Sequence, residues 1–68
     1  MIIKYANKDE KNSTKEKEIK YVNKVVITYA KMLELYFIDY TYDERCDNKG
    51  IHTLILKDDE YFSIIEDD

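Results

Sequence analysis

Proline, tryptophan and glutamine are absent from this 68-residue sequence, and glycine and cysteine occur once each. A single cysteine, Cys46, cannot close a disulfide within the chain, and no Cys/His set exists to hold a structural zinc. One glycine excludes a glycine-rich phosphate loop. The longest apolar run, Leu35–Ile38, is far shorter than the roughly 20 residues that span a bilayer, and the amino terminus has no signal-peptide core. These absences point to a soluble, cytoplasmic protein with no membrane partner. They also remove the usual staples of a very small fold. A chain of this size buries only about 60% of the surface its unfolded form exposes. Its stability is therefore expected from dense packing of Ile, Val, Leu and Tyr, or from an oligomer interface.

What the sequence does contain is charge and tyrosine: 15 acids, 11 bases and seven Tyr. Lys, Asn, Ile and Tyr fill 30 of the 68 positions, the bias of AT-rich codons and hence of a low-GC genome or its viruses.

One domain over 1–68 is expected, with no repeat or linker. Met1–Ala6 alternates weakly, Ile3 and Tyr5 against Ile2, Lys4 and Ala6, and reads as a strand. Asn7–Thr14 is polar and reads as a loop. Ser13 with Glu16 three residues on fits a capping box, which predicts a helix from Thr14 or Lys15 to about Leu35. At about 100° per residue, Ile19, Val22, Val26, Tyr29, Ala30, Leu33 and Tyr36 share one arc. Lys17, Lys20, Lys24 and Lys31 share the other. The β-branched run Val25–Thr28 lowers helix propensity and leaves a strand as the alternative. Beyond Leu35 the period becomes two: Tyr36, Ile38, Tyr40 and Tyr42 alternate with Phe37, Asp39, Thr41 and Asp43. Asp47–Gly50 has the pattern of a hairpin turn, Ile51–Lys57 of the returning strand, Lys57–Glu60 of a second turn, and Tyr61–Ile65 of a last strand. The expected fold class is α+β: a single helix on one face of a small, mostly antiparallel sheet, in the order β-α-β-β-β. Apolar residues on both sides of the hairpin suggest that the second sheet face is used, most simply in a homodimer.

Charge is distributed unevenly. Residues 1–34 hold eight Lys against five acids, net +3, whereas residues 35–68 hold three bases against ten acids, net −7. Asp39, Asp43, Glu44 and Asp47 follow the first hairpin strand into its turn, interleaved with Tyr36, Tyr40 and Tyr42. Asp58, Asp59 and Glu60 occupy the next turn. Carboxylates held on a rigid sheet, with tyrosines adding contact area, suit a Lys/Arg-lined groove that normally holds a nucleic-acid backbone. These ten residues are the candidate partner-binding set. The expectation is a small acidic inhibitor, of the phage type, that blocks a nuclease or other nucleic-acid-handling protein. A homodimeric accessory protein is the alternative, and a merely solvated acidic face is the plain reading. Direct nucleic-acid binding by the lysines is not expected, because no Arg or supporting motif accompanies them.

No catalytic constellation stands out. Cys46 and His52 flank the hairpin turn without the spacing of a nucleophile and base or of a metal site. The Asp58–Glu60 cluster lacks the spaced oxygens and glycine of a calcium loop. No enzyme activity, cofactor or metal is expected.

Overall fold

The alternation at the amino terminus forms a strand, β1 (Ile2–Lys8), and the three carboxy-terminal runs form β4 (Leu35–Tyr42), β5 (His52–Lys57) and β6 (Tyr61–Ile65). Between them the chain is also extended, as β2 (Thr14–Ile19) and β3 (Val22–Ala30). This is a computed structural model, which describes residues 1–8 and 14–66. Among the described residues six strands pair antiparallel in two three-stranded sheets, β2-β1-β6 and β3-β4-β5.

The fold class is therefore all-β, and the expected α+β arrangement with a helix from Thr14 or Lys15 is corrected. Residues 14–19 and 22–30 are strands, and no described residue is helical. The proposed cap at Ser13 lies outside the described residues, and Glu16 sits within β2, opposite Ala6 of β1. The apolar arc fails as a buried stripe, since Val26 is 62% and Leu33 63% exposed. The lysine arc likewise has no common face: Lys17 is in β2, Lys24 in β3, Lys20 in the corner between them and Lys31 in the β3–β4 turn. Stiff β-branched side chains at Val25–Thr28 fit a pleated strand better than a helical turn.

The two sheets are stitched at a corner. Tyr21 takes a left-handed backbone (φ 64°), which turns the chain from β2 into β3. Val22 N then donates to Met1 O at 3.0 Å, and the Met1 nitrogen donates to Val22 O at 2.8 Å. On its other side Val22 faces Tyr42 of β4, and Asp43 N donates to Tyr21 O at 2.7 Å. Val22 thus joins the residue that precedes β1 to the edge of the second sheet, and a bulge at Asn23 follows, between Val22 and Lys24.

One core fills the space between the sheets. Ile3 from the first sheet, Val22 at the corner, and Ile38 and Leu56 from the second are fully buried. Met1, Tyr5, Ile19, Val25, Tyr36, Tyr40, Leu54, Phe62 and Ile64 pack around them. In the second sheet the registers Tyr36↔Leu56, Ile38↔Leu54 and Tyr40↔His52 put the even-numbered residues of β4 and β5 on the inner face. Phe37, Asp39, Thr53 and Ile55 are left on the outer face. Asp43–Ile51 forms one long loop, with Gly50 at φ 96° where glycine alone is relaxed. Cys46 lies in that loop.

Candidate protein-binding surface

Alternation along β4 separates the tyrosines from the acid between them. Tyr36, Tyr40 and Tyr42 point inward. Tyr36 meets Phe62 edge-on at 5.1 Å and Tyr29 at 4.7 Å. Tyr40 and Tyr42 close around His52, with ring centroids 5.5 and 5.1 Å from it. Burial and a hydrogen bond with Tyr42 push the Tyr40 phenol up to about 12, so it is a neutral packing group at physiological pH. His52 Nε2 and Asn7 Oδ1 are buried without hydrogen-bond partners.

Asp39 is on the opposite, outer face, where its carboxylate accepts a hydrogen bond from Thr53 Oγ1 at 2.7 Å. The remaining acids divide between the two ends of the second sheet. Asp43, Glu44 and Asp47 occupy the β4–β5 loop. Asp58, Asp59 and Glu60 occupy the β5–β6 turn at the far end, about 23 Å away along an eight-residue strand. The ten predicted residues therefore do not share one surface.

Several of these acids serve the fold. Asp43 Oδ1 accepts from the backbone N of Arg45 at 2.8 Å, while the guanidinium reaches Oδ2 at 2.6 Å. Arg45 holds the Asp43 carboxyl below the usual carboxylate range and also lies over the Tyr21 ring, 4.7 Å from its centroid. Glu60 Oε1 accepts from Lys57 N at 2.7 Å and closes the β5–β6 turn. Asp58 ties that turn to the β3–β4 turn: its N donates to Glu34 O at 3.1 Å, and its carboxylate accepts from Tyr29 OH at 3.3 Å. Glu44, Asp47 and Asp59 are exposed.

The outer face of β3-β4-β5 carries a feature that acid counting misses. Val26 is 62%, Ile55 52% and Ile51 75% exposed. Phe37 stands directly opposite Ile55 and diagonal to Val26. A hollow of about 150 Å³ opens beside them, lined by Lys24, Val26, Asp39, Tyr40, Thr41 and Ile51. The odd-numbered apolar residues Phe37, Ile51 and Ile55 were visible in the sequence as a second side of the hairpin; Val26 was hidden by its assignment to a helix. Among the described residues, no group of three or more His, Cys, Asp and Glu is placed to hold a metal ion, and no helix is long and apolar enough to cross a membrane.

Comparison with protein-family models, curated proteins and solved structures finds no match to this chain.

Proposed function

We propose that this chain is a small intracellular protein-binding module that engages a basic protein through the outer face of the β3-β4-β5 sheet. The observation that supports it most is an apolar centre in which Val26, Ile51 and Ile55 are exposed and Phe37 is half-buried beside them, with Asp39 among them and acids at both ends. Such a surface suits a partner with an apolar contact patch rimmed by Lys and Arg. Proteins that handle nucleic acid present basic surfaces of this kind, so the partner class is a nuclease or similar protein, and the consequence of binding is inhibition. The tyrosines of β4 act by stiffening the sheet from within. Asp39, Glu44, Asp47 and Asp59 are the acids best placed for the partner.

The same apolar centre also suits a homodimer through this face. Charge argues against it: a two-fold face-to-face pairing, with its axis along or across the strands, lays an acid-bearing end of one copy over an acid-bearing end of the other.

The test is affinity capture with the tagged wild-type chain and with a variant carrying Asp39→Lys, Glu44→Lys and Asp47→Lys, each washed at low and high salt. A basic nucleic-acid-binding protein should be retained by the wild type, released by salt and lost with the triple variant. Identical protein sets bound to both chains would overturn the reading.

A further inference from the structure

Each sheet has two edges, and three of the four edge strands are blunted or short. β2 alternates charges, Lys15-Glu16-Lys17-Glu18, β6 has five residues, and β5 has six and ends in Lys57. β3 differs from all of them. It runs for nine residues, is uncharged from Val25 to Ala30, and contains no proline. Among the described residues its only ladder partner past Val22 is β4. Both its faces are open: Val26 is 62% exposed on the outer side, and Ile27 and Tyr29 are each 43% exposed on the inner side. The bulge at Asn23 and the charge of Lys24 guard only the start of β3. From Val25 to Ala30 the edge carries neither, and such an edge is a template for a further strand.

We propose that the β3 edge pairs with the β3 edge of a second copy of this chain, antiparallel about a two-fold axis at Ile27. Self-pairing at this position sets Ile27 against Ile27, Val26 against Thr28, Val25 against Tyr29 and Lys24 against Ala30. Residues directly opposite in an antiparallel ladder share a face, so every inner residue meets an inner one and no lysine faces a lysine. The contact is closed and isologous, which stops growth at the dimer. The result is one six-stranded sheet, β5-β4-β3-β3-β4-β5. A second copy suits this edge because the strand is complementary to itself. Among the described residues four large side chains are fully buried, a small core that gains from association. The inference is independent of the basic-partner reading, since edge pairing leaves the outer face of each sheet open.

Sedimentation velocity on the full chain over about three decades of concentration should find a dimer that dissociates on dilution. Ile27→Lys places two ammonium groups opposite each other and should weaken association about tenfold or more. Its far-UV circular dichroism should be unchanged, and Thr28→Lys should act in the same direction. Thr53→Lys on the β5 edge and Ile55→Lys on the outer face should leave the dimer intact. In a Cys46→Ser background, Ile27→Cys should cross-link two copies on mild oxidation. A monomer at every concentration would overturn the proposal. So would association untouched by Ile27→Lys and Thr28→Lys, loss of the dimer in Ile55→Lys alone, or failure of the Ile27→Cys chain to cross-link.

Discussion

Ile38 and Val26 are both β-branched aliphatic residues in the same sheet, yet their surroundings set them apart. Ile38 is fully buried and Val26 is 62% exposed. Ile38→Ala removes three methylene-sized groups from a closed core and should cost about 2–5 kcal/mol, enough to unfold much of a domain this small. Val26→Ala should cost under about 1 kcal/mol, within the range of surface changes. Urea denaturation of both variants gives the comparison, and equal losses would mean that the outer face is covered. Tyr40 supplies a second residue-scale test. Its folded phenol stands at about 12 against an ordinary value of 10.0. Between those values the folded state holds a proton that the unfolded state has lost. The stabilising effect is complete below pH 10, and it is lost as pH rises through about 12. Ultraviolet titration of Tyr40→Phe should lose the phenol that titrates at about 12 in the wild type, and the variant's stability should decline less steeply over that window.

At the scale of elements, the β3–β4 turn is held in a strained geometry. Leu33 N donates to Ala30 O at 3.1 Å, Glu34 N donates to Lys31 O at 3.3 Å, and Glu34 itself sits at φ 55°. That conformation aims the Glu34 carbonyl at Asp58 N, joining this turn to the β5–β6 turn. An L-residue with a long side chain is disfavoured there by about 1–2 kcal/mol, and asparagine tolerates the region better. Glu34→Asn should therefore raise stability by about 0.5–1 kcal/mol in urea denaturation; a loss would mean that the Glu34 carboxylate contributes more than the strain it imposes. The same scale explains what was legible in the sequence. β4 declared itself by the alternation of Tyr36, Ile38, Tyr40 and Tyr42 with Asp39, Thr41 and Asp43, and β1, β5 and β6 as short apolar runs bounded by polar segments. β2 alternates in sign of charge, with Lys4 reaching Glu18 at 3.6 Å and Glu16 at 3.9 Å, so its hydropathy is flat. Glu16 and Lys20 then imitate a helical i,i+4 pair. β3 is apolar on both faces and begins with a bulge, and both features erase a period of two. The acids of the candidate site were found by counting but could not be placed that way. Asp39 and Tyr40 are neighbours in sequence and on opposite faces in space, while Asp43 and Glu60 are committed to turns that only the folded chain reveals.

For the whole molecule, the decisive fact is that both sheets share one core. Ile3 and Val22 pack with Ile38 and Leu56, and the corner at Tyr21–Val22 bonds to both Met1, which precedes β1, and the end of β4. Neither sheet keeps a buried face without the other, so unfolding should be a single transition in which circular dichroism and tyrosine fluorescence coincide. The dimer proposed at the β3 edge adds a term that depends on concentration. A folded chain that associates while its unfolded form does not is stabilised by mass action, and the increment grows with the logarithm of total protein. The thermal midpoint of the wild type should rise across a hundredfold increase in concentration, whereas that of Ile27→Lys should stay fixed. A fixed midpoint in both would mean that the intramolecular core alone sustains the fold and that the open edge of β3 is tolerated in the monomer.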